Sequence, residues 1–353
     1  MKSLAVTEDH KLEIVELPVP EIGDDCVLTR TIASGICNGT DMKILHGDFK
    51  GIDQYPCLLG HEAVGEVVAV GSKVKRFKVG DRVMVPFLET DADGKYAGYY
   101  SFWSGYSEYT VARDYEAMIE AGKGPGHPEF WDAYYTQQVL PDDIDPVDGV
   151  MIVTFCEVLA AIRNFGFEQQ SKVAVFGAGP VGLTFIRLMK LLGVQTVISV
   201  DVLEEKREEA ATAGADAFVN SRTEDAVTAI RKLVPGGVDY VLDAVGVNSI
   251  INSAMHLLKE NGQICIYGIC PIKEMQISWA DAPQNWSLRF LHFPVKEQQA
   301  DAFPQIIEWV RQGKIRLSDY ISHRIPFSQI LDAFEMVENH VPMKKIVITY
   351  ESL

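Results

Sequence analysis

Residues 172–201 read KVAVFGAGPVGLTFIRLMKLLGVQTVISVD, and this stretch decides the fold of the central part of the chain. An apolar β-branched run is followed by a glycine-rich turn, an amphipathic stretch that ends at Gly193 and a second apolar run, which is the pattern of a strand–helix–strand unit. Gly177, Gly179 and Gly182 form a GxGxxG motif between the first strand and the helix. In that context the motif binds the pyrophosphate of a dinucleotide at the helix N-terminus.

An acidic residue completes the dinucleotide pattern, because Asp201 ends the second strand 19 residues beyond Gly182. A carboxylate at this place accepts hydrogen bonds from the ribose hydroxyls and repels a 2′-phosphate, so we expect NAD rather than NADP. A tight glycine turn without a ligand is the alternative interpretation. The candidate cofactor contacts are Gly177, Gly179, Pro180, Val181, Gly182, Asp201, Lys206 and Val245.

The alternation of strands and helices continues beyond Asp201 and predicts a sheet of six parallel strands. We expect helix N-caps at Thr223 and Asn248. The further strands are AFV from Ala217, DYVLDAVG from Asp239, GQICIYG from Gly262 and LRFLHF from Leu288. The prediction is an α/β fold, with a Rossmann doubly wound parallel sheet over residues 151–292.

The first hundred residues show short β-branched runs separated by Gly, Asp and Pro, which is typical of antiparallel strands. The last part of the chain adds helical patterns over 301–311 and 328–338 and a closing β-branched run, KKIVITY, which we expect to return to the first domain. We therefore predict a second, mostly antiparallel β-domain from residues 1–150 and 293–353. Residues 116–135 are rich in turn formers and are expected to be a long loop.

The composition argues against several classes of function. The 353 residues include 49 Asp and Glu against 32 Lys and Arg, and the net charge of −17 repels nucleic acid and anionic membranes. No apolar run reaches the roughly 18 residues of a membrane span, and the acidic N-terminal residues are unlike a signal peptide, so we expect a cytoplasmic protein.

Six cysteines without a CxxC pair indicate free thiols. Four of them are expected in the core: Cys26, Cys57, Cys265 and Cys270.

Oxidation of an alcohol by NAD requires the hydroxyl to lose its proton, and an unassisted alcohol is too weak an acid to do so at neutral pH. A zinc ion assists because it lowers the pKa of bound water from about 15.7 to about 7 and acts on alcohols in a similar way. Two residues offer ligand types that zinc prefers, namely Cys37 in SGICNGTD and His61 in LGHEAVGEVVAVG. A catalytic zinc takes three protein ligands, so these two residues need a partner.

Several motifs in order, SGICNGTD, GHEAVGEVVAVGSKVKRFKVGDRV, GYSEY and GAGPVGL with the ensuing VD, together resemble the zinc-containing medium-chain dehydrogenases. The likeness is greatest to the sorbitol, threonine and glucose dehydrogenase-like branch and covers nearly the whole chain. It implies a GroES-like fold for the β-domain and a homodimer or homotetramer. It also implies hydride transfer between NAD and a secondary hydroxyl of a polyol or sugar, bound in the cleft between the domains.

The resemblance further implies roles for individual residues. The implied zinc ligands are Cys37, His61, Glu62 and Glu157. Glu62 would approach the metal or help to exchange its water, Thr40 would pass the substrate proton outward, and Asp41 would orient His61. At the third ligand position Cys156 is a competing candidate. Glu157 has an alternative role as a carboxylate that opens a helix and interacts with its dipole.

The chain departs from the family pattern in three places. Asn38 and Gly39 both stand between the cysteine and Thr40, where most relatives have one residue. Asparagine is a poor zinc ligand, so we expect the loop to absorb the insertion and keep Cys37 as the ligand. The four-cysteine lobe that binds a structural zinc in many relatives is replaced by PFLETDADGKYAGYYSFWSG, which predicts one zinc per chain. Lys43 stands where relatives often have a proton-relaying histidine.

Two rival functions share this pattern in part. One is a zinc-free reductase of enones or quinones from the same superfamily, and the other is a non-catalytic nucleotide-binding protein.

The aromatic residues Tyr100, Trp103, Phe130 and Trp131 either wall a substrate pocket or pack a loop or an oligomer contact.

Overall fold

The computed structural model describes residues 1–339 and 344–351. The chain divides into two compact units. The first, which we call the β unit, combines Met1–Thr154 with Val295–Leu353, and the second, the α/β unit, is Phe155–Pro294. Within the described residues, no helix has both the length and the apolar character needed to cross a membrane.

Most strands of the β unit are short, and the longer ones are rich in β-branched residues, as their sequences predict. They are β1 Lys2–Val6, β2 Leu12–Glu16, β3 Cys26–Gly35, β4 Cys57–Leu58, β5 Ala63–Val70, β6 Arg82–Met84, β7 Lys95–Tyr96, β8 Tyr99–Ser101, β9 Tyr109–Arg113, β10 Val139–Leu140, β17 Ile321–Pro326 and β18 Lys345–Thr349. One sheet has the order β2-β1-β4-β8-β7, and the other has the order β10-β6-β5-β3-β18-β17 with β9 paired to β3. Most of these pairs are antiparallel, and β18 pairs antiparallel with β3. The closing strand therefore returns to the first domain, as predicted.

The α/β unit contains the remaining strands, which are β11 Lys172–Phe176, β12 Thr196–Asp201, β13 Ala217–Asn220, β14 Val238–Asp243, β15 Leu258–Ile266 and β16 Trp286–Phe290. They form one sheet in the order β13-β12-β11-β14-β15-β16, and every neighbouring pair is parallel. This order reverses direction next to β11, which is the doubly wound arrangement that binds dinucleotides at the carboxyl ends of the strands. The predicted fold class is confirmed.

The helices are α1 Asp41–Leu45, α2 Tyr115–Glu120, α3 Pro146–Gly149, α4 Met151–Phe165, α5 Pro180–Leu191, α6 Lys206–Ala213, α7 Ala226–Leu233, α8 Ser249–Met255, α9 Lys296–Arg311 and α10 Ile330–Glu338. Short 3₁₀ helices cover Asp132–Thr136, Leu317–Tyr320 and Phe327–Gln329. Helix α4 runs without interruption from the β unit into the α/β unit. The core of the α/β unit lies between its sheet and its helices, with residues such as Val241, Ile230 and Met255 almost fully buried.

Three local predictions need correction. The expected N-cap at Thr223 is wrong, because α7 begins at Ala226 and the carboxylate of Asp225 caps it by accepting from the backbone N–H of Thr228. The helix predicted over 301–311 begins at Lys296, five residues earlier, in a polar stretch that shows no apolar period. Cys270 is only partly buried, whereas Cys26, Cys57 and Cys265 lie in the core, and all six cysteines are free thiols.

The segment 116–135 is not one long loop. It starts inside α2, which Asp114 caps by accepting from the backbone N–H groups of Glu116 and Ala117, and it ends in the 3₁₀ helix Asp132–Thr136. Both helices are too short to show a hydrophobic period in the sequence, and the turn-forming residues of the segment therefore favoured the prediction of a loop.

Candidate functional site

The glycine turn of the α/β unit has the conformation that its three glycines permit. Gly177 has a φ of +100°, and a Cβ there would lie 2.6 Å from Cγ2 of Val245. A Cβ on Gly182 would lie 1.9 Å from the carbonyl oxygen of Gly177, so the start of α5 packs against the turn only because this residue is glycine. Gly179 is the N-cap of α5, and nothing within 4 Å would oppose a Cβ there. The turn therefore leaves open space at the helix N-terminus, where a pyrophosphate approaches backbone in such motifs.

One aspartate braces this turn, and a second braces the turn that follows the neighbouring strand β14. Asp201 lies at the end of β12, and its carboxylate accepts from the backbone N–H of Ala178 at 2.7 Å and of Leu203 at 3.0 Å. Asp243 at the end of β14 accepts from the backbone N–H groups of Val245 at 2.8 Å and Gly246 at 2.9 Å. The sequence singled out Asp201 but not Asp243, whose position at the end of a neighbouring parallel strand was the available signal.

The other cofactor candidates surround the same strand ends. Pro180 and Val181 form the first turn of α5 and are partly buried. Lys206 opens α6, is almost fully buried, and donates to a carboxylate oxygen of Glu209 at 2.9 Å. Val245 is about half exposed.

In the β unit three residues converge as a possible metal site. One ligand atom from each of Cys37, His61 and Glu62 lies within 4.8 Å of the other two. Cys37 follows β3, whereas His61 and Glu62 stand between β4 and β5, so the pairing of β3 with β5 brings the two segments together. The additional residue in the cysteine loop is taken up in a turn, in which Asn38 is exposed and the backbone N–H of Asp41 donates to the carbonyl of Cys37 at 2.8 Å.

Asp41 is fully buried behind these three residues. Its Oδ2 accepts from the backbone N–H of Cys37 at 2.9 Å and lies 2.7 Å from the Tyr106 hydroxyl, while its Oδ1 lies 3.4 Å from Nδ1 of His61. Neither Oδ1 of Asp41 nor Nδ1 of His61 has a closer hydrogen-bond partner among the described residues. A carboxylate in this position fixes the tautomer and orientation of a metal-binding imidazole.

Glu62 forms a buried ion pair with Lys345, which opens β18. The ammonium donates to both carboxylate oxygens, at 2.7 and 2.6 Å, and only 3% and 4% of the two side chains is exposed. Gly35 makes room for the pair, because a Cβ there would lie 2.5 Å from Oε2 of Glu62 and 3.2 Å from Cδ of Lys345. The pair was not predicted, since its partners are 283 positions apart and a lysine in a β-branched run gives no sequence signal.

The electrostatics of this group suit a cation. Burial alone would lower the pKa of His61, but its contacts with Asp41 and Cys37 outweigh burial and hold that pKa well above the usual value. Burial likewise opposes the charge of Lys345, yet the neighbouring Glu62 and Cys37 raise its pKa. A buried site that favours two protons in this way has a negative potential, and a thiolate, an imidazole and a carboxylate are the ligand types of zinc. The residues present therefore fit a zinc ion.

The other residues predicted for the metal and proton-transfer site are Thr40, in the β unit, and Cys156 and Glu157, in the α/β unit. Thr40 is the N-cap of α1 and is almost fully buried, and its hydroxyl makes no capping hydrogen bond. Glu157 lies in the α/β unit in the middle of α4, so it does not open a helix and the dipole interpretation is wrong. Its neighbour Cys156 is buried, and that burial raises the pKa of the thiol strongly, which favours a role in the core. The part of Glu157 in a ligand set stays a prediction.

Three of the four aromatic residues pack around Phe87, and one of them, Trp103, lies beside His61; Trp131 contacts Phe87 with ring centroids 4.8 Å apart. The ring of Trp103 lies 5.5 Å from the imidazole of His61, measured between centroids. Trp103 and Phe130 pack against a buried group that contains Phe87 and Tyr134. Tyr100 lies instead in β8, under the ammonium of Lys95.

Two family models match the chain. Residues 23–121 match the alcohol dehydrogenase GroES-like domain, and residues 180–312 match the zinc-binding dehydrogenase domain. The sorbitol dehydrogenase of Bacillus subtilis (strain 168) is 27% identical over 348 residues, which cover 95% of this chain and 93% of the relative. The alcohol dehydrogenase of Geobacillus stearothermophilus is 29% identical over 366 residues, which cover 99% and 98%.

A solved structure from Sinorhizobium meliloti 1021, a candidate zinc-binding dehydrogenase bound to NADP, is also similar. It superposes with a TM-score of 0.77 and 26% identity, over 99% of this chain and 98% of that one. These likenesses support zinc and a nicotinamide cofactor, in agreement with the two sites described above. The chain belongs to the zinc-type medium-chain dehydrogenases, a family of oxidoreductases.

Proposed function

We propose that this protein is a zinc-dependent dehydrogenase that transfers hydride between NAD and a secondary hydroxyl of a polyol, sugar or related small alcohol. The observation that carries the proposal is the convergence of Cys37, His61 and Glu62 within 4.8 Å, backed by a fully buried aspartate. When bound, zinc would make a hydroxyl acidic enough to lose its proton at neutral pH.

The residues of the chain would divide the remaining work. Cys37 and His61 hold the metal, with Glu62 and Glu157 as the candidates for the third position. Asp41 keeps the His61 imidazole in the orientation that a ligand needs. Thr40 accepts the substrate proton and passes it outward. Its hydroxyl suits this role because it makes no capping hydrogen bond at the start of α1.

The cofactor would bind on the glycine turn of the α/β unit. Backbone N–H groups at the start of α5 hold the pyrophosphate, and Gly179 gives it room. We propose NAD rather than NADP because Asp201 ends β12 and its carboxylate is fixed by two backbone N–H groups, and a carboxylate at this place in the motif would accept from the ribose hydroxyls and repel a 2′-phosphate. Asp201→Ser is expected to shift the ratio of kcat/KM for NAD over NADP towards NADP; an unchanged ratio would contradict this assignment.

We also propose one zinc per chain and a homodimer or homotetramer. The segment that would carry a second, structural zinc has no cysteine and instead forms the hairpin β7–β8, where Asp91 accepts from the backbone N–H groups of Asp93 and Lys95. Polyols and sugars are favoured by the likeness to a sorbitol dehydrogenase and by the glutamate at position 157.

The test combines metal analysis with a substrate screen. Purified protein is expected to contain one zinc per chain and to reduce NAD with at least one member of a panel of sugar alcohols, aldoses and their phosphates. Protein that lacks zinc yet reduces enones or quinones would favour the zinc-free reductase. Zinc-loaded protein that binds NADH but turns over no substrate in the panel would favour a non-catalytic nucleotide-binding protein. Light scattering reports the oligomeric state in the same preparation.

A further inference from the structure

The Tyr106 hydroxyl lies in the polar interior behind the metal ligands. The side chain is fully buried, and the hydroxyl oxygen is 2.7 Å from Oδ2 of Asp41 and 2.7 Å from the carbonyl oxygen of Gly35. A hydroxyl has one proton to donate, and a carboxylate is a stronger acceptor than a carbonyl. Burial and the neighbouring Asp41 keep the pKa of Tyr106 well above its usual value, so the hydroxyl retains that proton.

We propose that Tyr106 is a positioning residue of the metal centre, which acts on the ligand His61 through Asp41. Tyr106 and the backbone N–H of Cys37 both donate to Oδ2 of Asp41, and the other oxygen, Oδ1, is left facing Nδ1 of His61 at 3.4 Å. One carboxylate thus links the loop of the thiolate ligand to the ring of the imidazole ligand. The inference rests on the proposed zinc site.

Tyr106 is held in place by contacts to its ring and to its backbone, and these contacts set the position of its hydroxyl. Phe334 of α10 contacts the ring edge to face, with centroids 5.8 Å apart. The backbone N–H of Tyr106 donates to the carbonyl of Leu59 at 3.2 Å. Gly60 lets the two segments approach this closely, since a Cβ there would lie 2.6 Å from the Tyr106 nitrogen. The residue that precedes the ligand His61 is therefore packed directly on Tyr106.

The experiment compares zinc affinity in two variants that each lose one buried phenol hydroxyl. Tyr106→Phe removes the donor to Asp41. Tyr350→Phe is the matched control, because the Tyr350 hydroxyl is buried in the same unit and has no hydrogen-bond partner among the described residues. Zinc affinity is measured by competition with a chelator, and the Co²⁺-substituted proteins give visible spectra that report ligand geometry.

Tyr106→Phe is expected to weaken zinc binding by about 10-fold, the lower end of the effect of residues that support a ligand. Its Co²⁺ spectrum should shift, while Tyr350→Phe should match the wild type in both measurements. In an Asp41→Asn background the effect of Tyr106→Phe should largely disappear, because Tyr106 acts through that carboxylate.

If the wild type binds zinc and Tyr106→Phe binds it with equal affinity, this inference alone is overturned. An undiminished effect of Tyr106→Phe in the Asp41→Asn background would also overturn this inference alone. Absence of zinc binding by the wild type would overturn the proposed function as well. If Tyr106→Phe does not fold, Phe334→Leu serves instead, since it keeps the hydroxyl but releases the ring. That variant should bind zinc several-fold more weakly, and wild-type affinity in it would overturn the inference.

Discussion

The two binding regions of this chain are built in opposite ways. The dinucleotide region takes its glycine turn and Asp201 from one continuous segment, 172–201, and offers mainly backbone groups at a helix end. The metal region combines side chains from four separate parts of the chain, with Glu62 and Lys345 lying 283 positions apart. It places three charged residues, Asp41, Glu62 and Lys345, in a nearly solvent-free interior.

This difference shows where each region is vulnerable. Backbone N–H groups at a helix N-terminus exist whatever the side chains are, so the dinucleotide region depends on space and fails when a Cβ fills it. Buried charges are stable only with their partners, so the metal region depends on every member of its network. The four predictions that follow test this contrast, beginning with the largest expected effect.

Cys37→Ser should remove most of the zinc and lower kcat/KM by about 10³-fold or more, because the metal supplies several kcal/mol of stabilisation to the transition state. Zinc content by atomic absorption and steady-state kinetics measure the two effects. Cys270→Ser, at a partly buried thiol of the α/β unit, is the control and should retain both. A Cys37→Ser protein with a full complement of zinc would show that the thiolate is not a ligand.

Lys345→Met should lower the free energy of unfolding of the metal-free protein by about 3–5 kcal/mol, since it leaves the Glu62 carboxylate buried without its partner. Urea denaturation measures the loss. Lys123→Met breaks an ion pair with Glu129 that is about half exposed, and it should cost no more than about 1 kcal/mol. The double variant Lys345→Met/Glu62→Gln should recover part of the loss. Equal effects of the two lysine variants would contradict the contrast.

Zinc affinity should fall as the pH falls, by up to about tenfold per pH unit for each proton that zinc displaces. The reason is that a proton and a zinc ion compete for the His61 imidazole, whose pKa in the metal-free protein is held well above its usual value by Asp41 and Cys37. Affinity should continue to rise with pH at least until it passes that raised pKa. Chelator competition over a pH series tests this, and an affinity that is flat across neutral pH would contradict it.

In the dinucleotide region, Gly179→Ala should weaken NADH binding without loss of stability, whereas Gly182→Ala should lower the stability of the fold. The first adds a methyl where nothing lies within 4 Å, so the melting temperature should be unchanged while NADH affinity falls several-fold. The second places a Cβ 1.9 Å from a backbone oxygen and should lower the melting temperature itself. Fluorescence titration with NADH and thermal unfolding give both quantities. If Gly179→Ala binds NADH as tightly as the wild type, the result would favour the alternative interpretation, in which the glycine turn binds no pyrophosphate.

Much of the fold could be predicted because its signals are local. The strand, glycine turn and helix of 172–201, the position of Asp201 at a strand end and the β-branched character of the closing strand were all evident from patterns of a few residues. The predictions failed where signals were weak, as at Thr223, where a nearby aspartate competes as the cap, and over 116–135, where the helices are too short to show a period.

The sequence by itself determined the two kinds of unit, the dinucleotide turn and the residue types of a zinc site, because periodicity and motif spacing are properties of consecutive residues. Only the tertiary structure revealed that Lys345 neutralises Glu62 and that Tyr106 braces Asp41. The reason is physical: a buried charge must find its partner wherever the sheets bring one close, and the pairing of β18 and β5 with β3 is a property of the folded chain.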